Sequence, residues 1–253
     1  MHQPTLEALW HAQQQPALAD GSDWQSMSEL SIQDGQRLQL ALLQRWQARG
    51  ETLGGWKIGM TSGQNRNALG DGIRPFGFLL AGRILPSGST LGIEALHRGQ
   101  VENELCFLMG TSLGAGATAG DAAAAVAAVL PAFEINQKRL PPQAPPGLRV
   151  ADNLSNWGIV IGDPVHAPAQ LGELRVTLRQ RTGIIEQVAS AGHIDDHYES
   201  LAVLANTLAE HDLTLSPGQY VITGAYGKTA FAPGSYYGHF DLDIGEVTVH
   251  LHR

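Results

Sequence analysis

Residues 101–109, Val-Glu-Asn-Glu-Leu-Cys-Phe-Leu-Met, constrain what this chain can fold into more than any other stretch. The spacing predicts a strand, on which alternate side chains share a face. Glu102 and Glu104 then project together, roughly 7 Å apart along the chain, and Cys106 and Leu108 continue their face. Val101, Leu105, Phe107 and Met109 make the other face, so both sides of the strand are at least partly buried. Two carboxylates in such a place repel one another, and each is costly to desolvate without a compensating cation. A hard divalent ion with oxygen ligands meets that need, and Mg²⁺ or Mn²⁺ suits an all-carboxylate site. Solvated glutamates on an exposed strand end are the competing account. Glu134 shifts the balance, because it too sits in a short apolar run, Pro131-Ala132-Phe133-Glu134-Ile135. A single buried acid pairs readily with a cation such as Arg139, but three acids in strand contexts fit a metal centre better.

Composition narrows the field. A net charge of −8, with no Lys/Arg cluster, argues against nucleic acid as a partner. The start, Met1-His2-Gln3-Pro4, lacks the basic and apolar stretches of a signal peptide, and no window approaches ~18 apolar residues, so no membrane partner is expected. A soluble, cytoplasmic protein is the expectation. Cys106 is the one cysteine, which excludes an intramolecular disulfide and reads as a buried, inert thiol.

The first fifty residues read as a helical arm, with helices over 5–15 and 31–49, Ser31 as an N-cap and Gly50 as a stop. After Gly54-Gly55 the chain breaks into short apolar pieces divided by Gly, Pro and Ser, as expected of a β-rich body. Candidate strands are 56–60, 78–80, 101–109, 131–135, 157–161, 174–179, 220–223 and 245–250. Asp121 is a candidate cap for a helix over 122–130, and Asp195 or Asp196 for one running through Glu210. The proline-rich segment 140–147 reads as a surface loop. The expected class is α+β: an arm over 1–50 and a β-rich metal-binding catalytic domain over 51–253.

Two further segments carry chemistry. Lys57 stands alone in the apolar, glycine-flanked run 54–62; beside carboxylates and a metal it could bind a substrate carboxylate or relay a proton, and otherwise it snorkels from an edge strand. Thr61 and Ser62 follow with hydroxyls and N–H groups suited to an anion. Asp152-Asn153-Leu154-Ser155-Asn156 is a polar knot that reads equally as a site loop or an Asx turn. Ser155 has no G-x-S-x-G elbow, which argues against a serine hydrolase.

These pieces resemble the hydratase/decarboxylase branch of the fumarylacetoacetate hydrolase superfamily. The matches are G-W-K-I-G-M-T-S (55–62), V-E-N-E-L-C-F (101–107), P-A-F-E-I followed by Arg139, A-D-N-L-S (151–155) and L-S-P-G-Q-Y-V-I-T-G (215–224), in family order. The resemblance implies a mixed β-roll, a homo-oligomer with room for a complex with another pathway enzyme, and Mg²⁺ or Mn²⁺ on Glu102, Glu104 and Glu134. It implies Lys57 and Ser155 as catalytic residues, and Thr61, Ser62, Arg139, Asp152, Asn153, Thr223 and Gly224 as substrate-binding residues. The implied substrate is a small 2-oxo or 2-hydroxydienoic acid. The implied reaction is hydration to a 4-hydroxy-2-oxo acid, with decarboxylation of a 4-oxalocrotonate-type diacid as the alternative. Acylpyruvate hydrolysis and non-enzymatic 2-oxo-acid binding stand further off. One departure bears on the choice: Pro75 precedes Phe76-Gly77 where hydratases of this branch usually carry an aspartate. The segment 226–243 departs as well.

Two rivals remain open. Gly114, Gly116 and Gly120 between a strand and a helix suggest a dinucleotide fold, although their spacing is not G-x-G-x-x-G. His193 and His197 have the i, i+4 spacing of zinc ligands, although the Asp195/Asp196 cap would leave His193 ahead of its helix.

Overall fold

The computed structural model describes residues 3–16, 24 and 30–253. The parts of the expected arm at residues 1–2, 17–23 and 25–29 lie outside the described residues. The arm contributes α1 (Gln3–Gln14) and α2 (Ile32–Ala48), the latter capped by the Ser31 hydroxyl, which accepts from Asp34 N at 3.0 Å. The indole of Trp46 on α2 donates to Gln13 on α1 at 2.7 Å. Helix α2 is equally tied to the body: Gln39 Nε2 donates to the carbonyls of Phe76 (2.6 Å) and Val150 (3.1 Å).

The body continues with β1 (Leu53–Ile58), β2 (Phe76–Leu80), β3 (Ile84–Pro86), β4 (Ser89–Gly92), α3 (Ile93–Leu96), β5 (Gly99–Met109), α4 (Ala119–Ala125) and β6 (Val126–Gln137). Then come α5 (Pro146–Ala151), β7 (Asn156–Ile161), β8 (Arg175–Gln180), β9 (Gly183–Ala189), α6 (His197–Ala209), β10 (Tyr220–Ala230), β11 (Gly234–Phe240) and β12 (Gly245–His252). The strands form a seven-stranded mixed sheet, β2-β1-β10-β5-β6-β7-β3, and a five-stranded sheet, β4-β12-β11-β8-β9. This is the expected α+β class with mixed sheets.

The larger sheet curls until β2 approaches β7. Asn153 fastens the gap: its side-chain carbonyl accepts from Phe78 N (2.8 Å) and its amide donates to Phe78 O (3.0 Å), as a neighbouring strand would. Inside the curl lies a small apolar cluster containing Leu79, Cys106, Leu130, Ala132, Ile159 and Ile222. The outward face, with Trp56, Phe76, Phe107 and Phe133, joins the helices and the second sheet in the main core. Alternation along β5 therefore directs Glu102 and Glu104 to the inside, at one mouth of the curl.

Several expectations are corrected here. The helix expected over 122–130 ends at Ala125, and Val126 opens a twelve-residue strand. Its cap is Thr118, with Asp121 as the reciprocal partner of a capping box. Alanine favours helix locally, but pairing with β5 (Leu108 opposite Ala128, Met109 opposite Val126) overrides it. The segment 140–147 is only partly surface loop, because α5 begins at Pro146 and Ala144 and Gly147 are buried. The dinucleotide reading fails on topology: a βαβ crossover joins parallel strands, whereas β5 and β6 are antiparallel neighbours. Among the described residues, no helix is long and apolar enough to cross a membrane.

Candidate metal centre

Antiparallel register places Glu102 on β5 directly opposite Glu134 on β6. Glu104 lies two residues further along the same face. One carboxylate oxygen from each of the three glutamates lies within 4.8 Å of the others. Glu134 and Glu104 are buried, and Glu102 is half-buried. They stand in the wall of a cavity of 1060 Å³ that opens at this mouth of the curl.

Neighbouring strands supply the compensating groups. Lys57 on β1 brings its Nζ to 2.5 Å from Glu134 Oε1. Asn156 on β7 donates to the same oxygen at 2.7 Å, and Asn136 on β6 donates to Oε2 at 3.5 Å. Glu104 Oε2 accepts from Gly224 N at 2.6 Å. That contact needs glycine, since φ is +130° and a Cβ would lie 2.2 Å from Thr61 Oγ1.

Charge in this pocket is unbalanced. Burial opposes the ammonium of Lys57, but the charges of Glu134, Glu104 and Glu102 prevail and hold its pKa above the ordinary value. Burial, then the charge of Glu134, pushes Glu104 well above the usual carboxylate range and raises Glu102. Three acids against one buried lysine leave the cluster short of positive charge. Oxygen-only donors, close spacing and acids reluctant to ionise together fit a hard divalent cation.

Of the residues expected to serve catalysis or substrate, Lys57, Thr61, Ser62, Ser155 and Gly224 line the cavity. Ser155 closes a run of three left-handed residues, Asn153 (φ 55°), Leu154 (φ 50°) and Ser155 (φ 64°), an unusual conformation for non-glycine residues. Four others stand behind the wall. Arg139 is fully buried, donating to Asp152 Oδ1 (2.7 Å), Gln137 Oε1 (2.7 Å) and Asp152 O (3.0 Å), so Arg139 and Asp152 form a buried ion pair. Asn153 is committed to the backbone of Phe78. Thr223 hydrogen-bonds to His197 Nδ1 at 2.7 Å and accepts through its carbonyl from Thr61 Oγ1 at 2.8 Å.

The histidine pair separates as the Asp195/Asp196 cap, against the zinc-ligand spacing, suggested. Asp196 caps α6 by accepting from Tyr198 N and Glu199 N, and His193 precedes the helix. His197 is buried between Thr223 and Tyr226, and burial lowers its pKa to about 4. His193 and Tyr226 belong to the cavity wall, as do Asn136, Arg98, Lys138 and Lys228. None of these residues was expected in the site from the sequence. Asn136 alone carried a usable signal, two residues from Glu134 on one strand face; the rest depend on strand register and loop placement.

No family model matches the chain. It is 32% identical over 185 residues to 2-hydroxypent-2,4-dienoate hydratase of Pseudomonas putida, covering 71% of this chain and 83% of that one. It is 29% identical over 230 residues to 2-oxo-hept-4-ene-1,7-dioate hydratase of Escherichia coli, covering 87% and 85%. Among solved structures, 4-oxalocrotonate decarboxylase from Pseudomonas putida G7, complexed with magnesium and adipate, superposes with a TM-score of 0.88 at 24% identity, covering 100% of this chain and 98% of that one.

Proposed function

The chain belongs to the hydratase/decarboxylase branch of the fumarylacetoacetate hydrolase superfamily, and from that premise we propose that it is a divalent-metal-dependent lyase that adds water to a short 2-hydroxydienoate or 2-oxo-enoate. One observation carries the reading: three glutamate oxygens within 4.8 Å of one another, beside a buried lysine, in the wall of a cavity. Glu102, Glu104 and Glu134 would hold Mg²⁺ or Mn²⁺. A cation bound there supplies Lewis acidity toward the carboxylate and 2-oxo oxygen of a substrate.

The chain's own residues do the rest. Lys57 stays protonated against its acidic neighbours, so it serves as a fixed positive charge and donor toward substrate oxygen rather than as a base. Asn156 and Asn136 orient Glu134, and Gly224 N orients Glu104. Thr61, Ser62 and Ser155 offer polar contacts along the wall.

A second reading, decarboxylation of a 2-oxo diacid, is favoured by the charge of the cavity. Lys57, Arg98, Lys138, Arg149 and Lys228 line it, five of the sixteen Lys and Arg residues in a chain of net charge −8. Lys228 faces Glu102 across β5 and β10, and Lys138 N donates to Arg98 O at 2.7 Å, which gathers three cations at one end of the sheet. Glu186 tempers them. Such a rim suits a second carboxylate.

Ultraviolet assays on 2-hydroxypenta-2,4-dienoate and on a 2-hydroxymuconate-derived diacid, in Mg²⁺ and in EDTA, test both. Mg²⁺-dependent formation of a 4-hydroxy-2-oxo acid supports the hydratase, and CO₂ release from the diacid supports the second reading. Turnover unaffected by EDTA would refute the metal-dependent mechanism.

A further inference from the structure

Among the described residues that line the cavity, one is an imidazole. Lys57 is held cationic by its carboxylate neighbours, and the three glutamates form the candidate metal centre. Burial raises the Tyr226 pKa, and its hydroxyl is shared between Ser190 Oγ and His197 Nε2, each at 2.7 Å. Glu186 accepts from Lys228 N at 3.0 Å on the rim, where the other titratable groups are Lys and Arg. His193 remains.

Its setting fixes the chemistry of each ring nitrogen. Nε2 lies 3.0 Å from the carbonyl oxygen of Ala225. A carbonyl can only accept, so Nε2 carries the proton and Nδ1 of the neutral ring carries the lone pair. The ring stacks on Tyr226 (centroids 6.2 Å apart, planes 21° apart) and lies over Gly63, whose added Cβ would be 3.3 Å from Cε1. The backbone holds the residue as well, since Gly63 N donates to His193 O at 2.9 Å. Ala225 is the cross-strand neighbour of Glu104, so the imidazole is anchored one residue from the Gly224 N–H that orients that ligand. The nearby charged groups are Glu104 across the sheet and Asp195 two residues on; Asp195 is already neutralised by Arg66 (2.6 Å) and Arg74 (2.7 Å).

We propose that His193 is the acid/base of the hydration, with Nδ1 as the atom that moves the proton. This rests on the hydratase reading above. After the 2-hydroxydienoate ketonises, its hydroxyl proton leaving to solvent and C5 gaining one from solvent, Nδ1 takes a proton from water while the water oxygen bonds C4 of the resulting conjugated 2-oxo-3-enoate. The C3–C4 π pair shifts onto C3 and the 2-oxo oxygen. C3 then takes the proton back from Nδ1, so water adds across the double bond and neutral imidazole is regenerated. The carbonyl of Ala225 stabilises the transient imidazolium by accepting from Nε2 throughout.

The experiment compares wild type, H193Q and H193A with 2-hydroxypenta-2,4-dienoate and Mg²⁺ across pH, and measures Mn²⁺ affinity of the same preparations by electron paramagnetic resonance. H193Q can keep a donor toward Ala225 while losing the base. Its kcat is expected to fall about 10²–10⁴-fold, with KM and Mn²⁺ affinity within about twofold of wild type. Added imidazole should restore rate to H193A in the open cavity. H193Q turnover within threefold of wild type would overturn the proposal. So would weakened Mn²⁺ binding in both variants without imidazole rescue, which would assign His193 to holding the wall. A wild-type enzyme that does not hydrate the dienoate in Mg²⁺ overturns the hydratase reading instead, and that result is visible before any variant is compared.

Discussion

Replacing Lys57 by Met should damage the metal-free protein far more than the metal-loaded one. Methionine retains most of the length of the lysine stem, which packs against Gly77, so the change chiefly removes charge. At 2.5 Å from Glu134, an effective dielectric of 20 gives about 7 kcal/mol of attraction, most of it offset by desolvation of the two ions. Removing one partner of a buried pair still costs about 3–5 kcal/mol, because the other charge is left uncompensated. For a domain of this size that is a fall in Tm of roughly 6–20 °C. The pKa of Lys57 is raised above 10.5 in the fold, so its contribution is whole below pH 10.5 and fades only as pH rises through the folded value. Any recovery of K57M on acidification therefore reports protonation of the glutamates. Thermal melts at pH 7.5 in EDTA and in saturating Mg²⁺ are the assay. The deficit in EDTA should reach several kcal/mol and shrink by at least about half in Mg²⁺, which replaces the missing positive charge. Turnover should be lost in both conditions. Equal deficits with and without metal, or a deficit under about 1 kcal/mol in EDTA, would refute the charge-balance argument.

Three further outcomes follow from the same geometry. E102Q and E134Q should each weaken Mn²⁺ binding by at least about 100-fold while leaving the circular dichroism spectrum intact, since a ligand costs no less than its outer-shell support; normal binding and activity in either variant would sink the three-glutamate centre. N153A should cost about 2–5 kcal/mol in guanidinium unfolding, because it orphans the buried N–H and carbonyl of Phe78 and places alanine at φ 55°; a loss under about 1 kcal/mol would deny it the clasp role. His197 has a folded pKa of about 4 against 6.5 ordinarily, so its neutral ring contributes fully above pH 6.5 and the contribution falls as pH drops toward 4. The stability difference between wild type and H197Q should therefore shrink by about 3 kcal/mol over that range, and a pH-independent difference would contradict the buried neutral ring.

How much of this was legible in the sequence depended on whether the information was local. Strand β5 could be read because alternation alone assigns Glu102 and Glu104 to one face, whatever the strand pairs with. Strand β11 carried the same signal in a disguised form: Tyr236, Gly238 and Phe240 point inward, but a glycine in the middle hides the period. It sits there because the second sheet packs closely on the first, where a Cβ at Gly238 would lie 3.1 Å from Phe133. The polar knot at 151–155 had suitable residue types, yet Asp152 turned to Arg139 and Asn153 to a strand edge. Residue type could not reveal that choice, since a buried ion pair and a substrate contact draw on the same side chains. His193 was equally opaque, because its tautomer is set by a carbonyl thirty-two residues away.

Glu134 shows where local information ends. Its burial was foreseeable from its apolar neighbours, but its membership of the candidate metal centre depends on a register linking strands through a loop and a helix. A one-residue slip of β6 against β5 would turn Glu134 to the outer face, among the aromatics of the main core, and leave Glu102 opposite an outward-facing neighbour. The irregularity in this pair lies between Leu108 and Met109, at the far end from the glutamates. Pairing runs unbroken from Glu102 opposite Glu134 through Cys106 opposite Leu130, so the apolar cluster inside the curl and the carboxylates at its mouth are held by one register. The apolar residues stabilise that register, and the three acids, which repel one another, could not. The proposed metal binding would in that sense be a property of the apolar packing of Cys106, Leu130 and Ile222 as much as of the glutamates themselves.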